Sequence, residues 1–306
     1  MRRLLVIANA AAGGADDDAV ERARAVLAAG ADVAEATAAD PARLPALLGE
    51  HPGRDPVVMG GDGTLHALVA ALDATGGLGS RTVGLIPMGT GNDFARALGL
   101  PLDPGEAARV IARGERRRVD LIRDDRGGLV VNALHLGVGV EAVEAAAPLK
   151  PVLHRLAYAA GALRAGLSTT GSRIRVTVDG RVVADGDRKV LMAGVGNGST
   201  IGGGTPLVPD ARPDDGQADV VVSFATGPLQ RLAYGVLLRL GRHVRHETVR
   251  TARGADIRIT CPPLRVNADG ELIGPVSGLS LTVEPGAWSV YSPARRDFHE
   301  RTLAKP

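Results

Sequence analysis

Two glycine-rich turns carry the residue types that could bind a phosphorylated ligand. The first, Gly60-Gly61-Asp62-Gly63-Thr64, follows the apolar run Pro56–Met59 and precedes the helix-like segment Leu65–Leu72. Glycine lets a ligand approach the backbone closely, and the amides at a helix N-terminus attract anions. An acidic residue in such a turn would repel a bare phosphate, so Asp62 indicates an accompanying cation. The turn therefore predicts a nucleoside triphosphate with Mg²⁺, although many glycine turns serve the fold alone.

The second turn is Gly89-Thr90-Gly91-Asn92-Asp93, which follows the apolar run Thr82–Ile86 and opens a helix-like segment through Leu98. Two such turns at the carboxyl ends of two strands predict the ligand crevice of an open α/β sheet. Asn92 or Asp93 would also serve as an ordinary helix N-cap. That explanation accounts for one of the two residues and leaves the preceding glycines unexplained.

A third polar turn, Asn267–Glu271, separates the strand-like runs Leu264–Val266 and Leu272–Ile273. Its carboxylate, Asp269, could accept a proton from an attacking hydroxyl. An ordinary Asp-Gly hairpin turn has the same local pattern. The residues alone leave both interpretations open.

These motifs together resemble the catalytic domain of the diacylglycerol kinase and sphingosine kinase superfamily, and most closely the soluble bacterial diacylglycerol kinase-type lipid kinases. Further matches run in family order from Asn9 to Glu271. They are Asn132 with Gly137–Ala142, Gly202–Gly204, Pro209–Ala211, Asp214–Val220 and Asn267–Glu271.

The resemblance implies an α/β fold with two domains. A NAD kinase/phosphofructokinase-like nucleotide-binding domain spans residues 1–122, an antiparallel β-sandwich-like lipid-substrate domain spans 123–288, and residues 289–306 return to the first domain. Alternating apolar runs and alanine-rich segments before residue 123 independently favour a parallel sheet with helices. Alternating patterns at Arg173–Arg181 and Ile257–Thr260 favour antiparallel strands afterwards, with helices near 151–167 and 228–245.

The family's activity implies an ATP- and Mg²⁺-dependent kinase that phosphorylates a lipid hydroxyl, with diacylglycerol as the default acceptor. The resemblance makes Asp269 the general base and Glu271 its neighbour, and it puts Asp62, Asp93 and Asp120 in a magnesium network that can act through water. The implied nucleotide contacts are Asn9, Ala10, Ala11, Ala12, Gly13, Thr37, Gly60, Gly61, Asp62, Gly63, Thr64, Leu65, His66, Thr90, Asn92 and Asp93.

Several positions depart from the family pattern. The Asn9–Gly13 loop lacks the usual proline and serine, so its contacts must come from backbone amides. His66 stands where the family commonly has asparagine, and we interpret it as a capping or packing histidine without a catalytic role. Thr37 suits a plain surface position equally well.

A second cation site is implied in the β-rich domain. Arg212, Asp215 and Gln217 match positions that hold a structural Mg²⁺ in bacterial relatives, through one carboxylate and main-chain carbonyls. An ordinary Asp-Asp-Gly turn would give the same residues.

Composition constrains the partners. The 306 residues carry a net charge of +2, too mild to indicate nucleic acid. No apolar stretch suits a membrane-spanning helix, and the single Cys261 predicts a buried thiol in a reducing compartment. We therefore expect a cytoplasmic protein, and the Leu229–His246 segment, a basic amphipathic helix, predicts transient contact with a membrane surface. A helix packed on the sandwich is the alternative.

Other functions remain open at this point. A NAD kinase shares the GGDGT turn and the two-domain plan, but GTGNDFAR and the GGG and DDG elements resemble lipid kinases. A non-catalytic nucleotide- or lipid-binding homologue is the other alternative. The residues name neither the acceptor lipid nor the oligomeric state, and the resemblance adds a homodimer as an expectation.

Overall fold

The computed structural model describes residues 1–8, 17–138 and 171–293. Four sequence-based assignments fall outside these ranges. They are the Asn9–Gly13 loop, the segment 139–142, the helix near 151–167 and residues 294–306.

The first part of the chain forms a parallel sheet with helices, as the alternating pattern predicted. Its strands are β1 (Arg2–Ala8), β2 (Ala31–Thr37), β3 (Asp55–Gly60) and β4 (Thr82–Pro87), in the spatial order β2-β1-β3-β4. The helices are α1 (Asp17–Gly30), a 3₁₀ turn (Pro41–Arg43), α2 (Leu44–Glu50), α3 (Asp62–Ala74), α4 (Asp93–Leu98) and α5 (Pro104–Arg113). All four strands point their carboxyl ends to one edge, where both glycine turns lie.

The second part is built from antiparallel strands. They are β5 (Arg116–Asp124), β6 (Leu129–Val130), β7 (Ala133–Gly137), β8 (Ser172–Val178), β9 (Arg181–Val190), β10 (Met192–Gly196), β11 (Thr200–Ile201), β12 (Thr205–Pro206), β13 (Ala218–Ser223), β14 (Val249–Gly254), β15 (Asp256–Ala268) and β16 (Glu271–Tyr291). Helix α6 (Pro228–Arg239) and a 3₁₀ turn (His243–Arg245) precede β14. Inward-facing Val, Leu and Ile side chains fill the core between these strands.

The long strand β16 connects the two parts. Its first half pairs with β15, and its last residues pair in parallel with β4, where Ser289 lies opposite Thr82. Trp288 in this strand is fully buried and stacks on Phe94 of α4 with ring centroids 5.7 Å apart. The two cores are therefore built partly from one continuous segment.

The predicted fold class is confirmed, since a parallel α/β unit is followed by an antiparallel sandwich-like unit. Cys261 is buried on β15, and its thiol donates to the carbonyl of Val276. Burial raises the pKa of this thiol, which suits an inert core residue. Among the described residues, no helix combines the length and apolarity that crossing a bilayer requires.

His135 on β7 makes the stability of the fold depend on pH. The side chain is 4 % exposed, and burial lowers its pKa from 6.5 to about 4. The unfolded chain takes up this proton near pH 6.5 whereas the folded chain does not, so stability falls as the pH drops from 6.5 towards 4.

We expect lowering the pH from about 7.5 to about 5 to cost wild type about 2 kcal/mol more than His135→Gln in unfolding free energy. Urea unfolding of both proteins at the two pH values measures this difference. Parallel losses in the two proteins would contradict a neutral buried imidazole.

Candidate active site

The two glycine turns lie against each other at the carboxyl ends of β3 and β4. The amide of Met88 donates to the carbonyl of Gly60 at 2.9 Å. A Cβ atom on Gly89 would lie 2.6 Å from the Cα of Gly61, closer than any side chain tolerates. Glycine is required here because two backbones meet, which the sequence motif did not reveal.

Helix α3 presents an open N-terminus beside these turns. Its N-cap residue, Gly61, offers no side-chain acceptor, so the first-turn amides have no capping partner from that residue. A Cβ on Gly60 would clash with the hydroxyl of Thr64, which is 2.5 Å from the position that Cβ would take. The turn is thus compact and leaves backbone N–H groups to meet an anion.

Asp62 uses its carboxylate to cap the neighbouring helix. The amides of Asp93 and Phe94, at the start of α4, donate to its two oxygens at 3.0 and 3.1 Å. Burial raises the pKa of Asp62 despite these hydrogen bonds, and repulsion from Asp93 and Asp269 adds to the effect. A cation in this cleft would stabilise the ionised form of Asp62.

Asp93 joins α4 to the Gly202–Gly204 loop of the second part. Its carboxylate accepts hydrogen bonds from the Thr200 hydroxyl and from the amides of Gly203 and Gly204, each at 2.8 Å. Gly203 and Gly204 have φ values of 86° and 103°, a region that favours glycine. The triple-glycine motif therefore wraps a buried carboxylate.

Asp120 on β5 is 2 % exposed and serves a similar linking role. The amides of Gly216 and Gly286 each donate to it at 2.7 Å. Among the residues described, no three Asp, Glu, His or Cys side chains converge to hold one metal ion. The structure therefore does not bring Asp62, Asp93 and Asp120 together as direct ligands of one ion. A magnesium network that acts through water stays a prediction.

Asp269 lies at the tip of a two-residue hairpin between β15 and β16. Asp269 and Gly270 have φ values of 49° and 95°, as a type I′ turn requires. The turn also directs the carboxylate inward, where the amides of Val131, Asn132 and Ala133 donate to it at 2.6, 2.9 and 2.9 Å. The hairpin interpretation is therefore confirmed, and the catalytic role of Asp269 stays a prediction.

His66 completes the set of donors around Asp269. Its Nδ1 lies 2.9 Å from the Asp269 Oδ2 atom, although the two residues are 203 positions apart. The hydrogen bond to Asp269 raises the pKa of His66 most, and the negative charges of Asp269 and Glu271 add to it. The expected capping role of His66 is wrong, because Gly61 is the N-cap, and the imidazole instead bonds the carboxylate of Asp269.

The remaining predicted contacts differ in what they can offer. Leu65 is 1 % exposed and packs in the core, so only its backbone can face a ligand. The Asn92 side chain both accepts from and donates to the backbone of Gly89, which keeps the turn in shape. Residues exposed or half-exposed at this edge are Thr37, Gly63, Thr64, Thr90 and Glu271.

At the predicted cation site of the second part, an arginine lies beside the carboxylates. The guanidinium of Arg253 pairs with the carboxylates of Asp215 and Asp219. Arg212 pairs instead with Asp214 at 3.2 Å, and the amide of Gln217 donates to Asp215. Arg253 thus places a positive charge beside Asp215, and the structural Mg²⁺ that the resemblance implies there stays a prediction.

Sequence reasoning missed several partners of the buried carboxylates. Thr200, Val131 and Arg253 carry no local pattern that indicates a contact with a distant aspartate. The Gly202–Gly204 run did give a signal, since three consecutive glycines suggest backbone amides wrapped around an anion.

Comparison with known proteins agrees with this architecture. The family model of the diacylglycerol kinase catalytic domain matches residues 3–123. The model described as the YegS C-terminal NAD kinase beta sandwich-like domain matches residues 132–292. The first match ends within β5, which already pairs antiparallel with β16, and the second begins just before β7.

Individual relatives are similar over most of their length. A "probable lipid kinase YegS-like" protein of Stenotrophomonas maltophilia is 35 % identical over 251 residues, which cover 78 % of each chain. A protein named diacylglycerol kinase from Mycobacterium tuberculosis is 30 % identical, covering 79 % of this chain and 78 % of its own. The crystal structure of a diacylglycerol kinase from Bacillus anthracis aligns with a TM-score of 0.75 at 22 % identity, covering 96 % and 98 % of the two chains. The chain therefore belongs to the diacylglycerol kinase-type family of lipid kinases.

Proposed function

We propose that this kinase transfers the γ-phosphoryl group of ATP, in the presence of Mg²⁺, to the hydroxyl of a membrane lipid. Diacylglycerol is the acceptor that we propose, with phosphatidic acid as the product. The observation that carries the proposal is the 2.9 Å hydrogen bond between His66 and Asp269. It brings the Asn267–Glu271 hairpin to the helix that follows the GGDGT turn, so one cleft holds both sets of residues.

The cleft suits a triphosphate with a divalent cation. The uncapped N-terminus of α3 and the touching glycine backbones offer N–H groups without side chains in the way. Burial and the neighbouring carboxylates of Asp93 and Asp269 raise the pKa of Asp62, so they disfavour its ionised form. A cation bound beside Asp62 would favour that form, and this supports a cation in the cleft. Bound Mg²⁺ would neutralise phosphate charge during transfer, and the chain's own carboxylates would hold it directly or through water.

The surface next to the hairpin favours an apolar acceptor. Leu272 and Ile273, immediately after Glu271, are 41 % and 40 % exposed. Apolar side chains beside the reacting groups fit an acyl-bearing alcohol better than a soluble dinucleotide such as NAD. This observation supports the lipid over the NAD kinase alternative.

A panel of acceptors offered with labelled ATP and Mg²⁺ tests the proposal. We expect label in diacylglycerol presented in mixed micelles and none in NAD. Asp269→Asn should lower kcat by a factor of about 10² to 10⁴, because a proton-accepting group is then impaired. Product analysis by thin-layer chromatography measures both effects.

Asp256→Asn provides the matched control, since Asp256 is an exposed aspartate at the other end of β15. It should keep wild-type kcat, and the unfolding free energies of both variants should confirm that they fold. Labelling of NAD instead of any lipid would contradict the proposal. ATP binding without phosphorylation of any lipid in the panel would favour the non-catalytic homologue.

We further propose that helix α6 docks on an anionic membrane surface. Leu229, Leu232, Val236 and Leu240 follow helical spacing and are 82, 63, 54 and 60 % exposed. The buried Tyr234 anchors the opposite side of the helix in the core. We name these four exposed residues the α6 stripe; exposed arginines stand close by in sequence at 239, 242 and 245.

An apolar stripe flanked by arginines matches a bilayer that carries negative headgroups. The apolar side chains would enter the headgroup region, while each near-surface arginine contributes about 1 kcal/mol of attraction. A helix that only packed on the sandwich would point its leucines at the core. The exposure of the four residues of the α6 stripe supports the membrane contact.

We expect the double variant Leu232→Ser/Val236→Ser to bind vesicles about tenfold more weakly or worse, because two apolar side chains are lost from the bilayer contact. Co-sedimentation with phosphatidylcholine vesicles, with and without phosphatidylglycerol, measures binding. The control is Val182→Ser, which changes a 50 % exposed valine on β9, outside the stripe. Binding that ignores phosphatidylglycerol, or that the double variant keeps, would contradict this part of the proposal.

A further inference from the structure

We propose that Arg188 and Arg250, which both lie over the ring of Phe224, bind the phosphomonoester headgroup of a membrane lipid. The inference rests on the proposed docking of helix α6 and adds a specific headgroup site to that contact. It arises from two exposed arginines that converge on one aromatic ring and pair with no described carboxylate.

Phe224 brings the two guanidinium groups together. The guanidinium carbon of Arg188 lies 4.8 Å from the centroid of the ring, and that of Arg250 lies 5.3 Å from it. The ring is 5 % exposed and belongs to the core of the second part, so its position is fixed by packing. Stacking on a fixed ring orders the planar donors of arginine before an anion binds.

Most N–H groups of these two arginines remain available. Among the described residues, the side chain of Arg188 has no hydrogen-bond partner, and Arg250 donates to the carbonyl of Val183 at 3.0 Å. Two guanidinium groups close to one ring repel each other, and a bound anion offsets that repulsion. The pair is therefore suited to an anionic ligand.

The acidic residue that acts on Arg250 uses its carboxylate elsewhere. Backbone hydrogen bonds lower the pKa of Asp185 most, and the charge of Arg250 adds to this effect. The carboxylate of Asp185 accepts the amide of Asp187 at 3.0 Å. In the described ranges it forms no ion pair with Arg188 or Arg250, so the positive charge of the pair is not neutralised by direct contact.

The arginine pair lies at the base of the segment that carries α6. This segment leaves the sheet at Phe224 and returns at Thr248, and the amide of Phe224 donates to the carbonyl of Thr248 at 2.8 Å. Arg250 follows at the start of β14. Leu229, which begins the α6 stripe, comes soon after Phe224 and is 82 % exposed. A bilayer that takes up Leu229 therefore brings lipid phosphates close to the arginine pair.

Charge and geometry favour a phosphomonoester over a phosphodiester. A phosphomonoester carries about −1.5 to −2 charges at neutral pH and offers three terminal oxygens. A phosphodiester such as that of phosphatidylglycerol carries a single negative charge. Two arginine forks match the larger charge and can each bind the oxygens in pairs. Phosphatidic acid, the proposed product of the kinase, has such a headgroup, and its binding would hold the enzyme where product accumulates.

The test is co-sedimentation of the full chain with phosphatidylcholine vesicles that contain phosphatidic acid or phosphatidylglycerol, adjusted to the same zeta potential. We expect wild type to bind the phosphatidic acid vesicles about tenfold more tightly, because a headgroup contact adds to the shared surface charge. Arg188→Gln/Arg250→Gln should lose this preference. The control, Arg181→Gln/Arg258→Gln, removes two other exposed arginines of the second part and should keep it.

Two further arms make the assignment specific. Arg188→Lys/Arg250→Lys keeps both charges but loses the planar fork and its stacking, so most of the preference should disappear. Inorganic phosphate, added at constant ionic strength, should displace wild type only far above the concentration of the headgroup lipid. Displacement at an equal concentration would assign the pair to free phosphate and overturn the lipid site.

The outcomes separate this inference from the proposed function. No step of the assay requires phosphoryl transfer, so an enzyme that phosphorylates no lipid contradicts the proposed function and leaves this readout intact. Wild type that binds both kinds of vesicle equally overturns the headgroup site, even where the α6 stripe still docks. A preference that persists in Arg188→Gln/Arg250→Gln, or that the control also loses, overturns the assignment to this arginine pair.

Discussion

The site depends on one buried carboxylate that has to be held in place by groups from both parts of the chain. Asp269 takes its three backbone donors from residues 131–133 in the β-rich part and its fourth from His66 in the α/β part. A buried charge with fewer donors would cost several kcal/mol. The hairpin geometry, the bend before β7 and the position of α3 are therefore fixed together.

The same device recurs around the cleft. Asp62 caps α4, Asp93 holds the Gly202–Gly204 loop, and Asp120 ties β5 to the segments around Gly216 and Gly286. Each carboxylate accepts hydrogen bonds from backbone N–H groups of a segment distant in sequence. These acidic residues therefore hold separate elements together. The negative charges of Asp62, Asp93 and Asp269 lie close enough to act on one another, which makes the cleft favourable for cations, whether Mg²⁺ or a protonated His66.

Local patterns in the sequence were sufficient for the elements but not for their contacts. Spacing and turn residues predict the βα alternation, the hairpin at Asp269-Gly270 and a helix from residue 228. All three are present, although α6 ends at Arg239 and not near residue 245. The structure adds what short-range patterns cannot encode, such as the bond between His66 and Asp269 across 203 residues. The pairing of Arg253 with Asp215 is a similar case, because nothing in the local sequence of β14 indicates its acidic partner. The orientation of the α6 stripe was also beyond the sequence, since amphipathic spacing does not say which face meets the core.

The most direct measurement of the central claim is the side-chain ¹⁵N titration of His66 in the full-length protein, with its signals assigned from the spectrum of His66→Asn. The account predicts that Nδ1 stays protonated through its bond to Asp269, and that Nε2 titrates with a pKa above 6.5 in wild type and lower in Asp269→Asn. An imidazole that titrates at or below 6.5 and ignores Asp269→Asn would contradict the coupling on which the site is built.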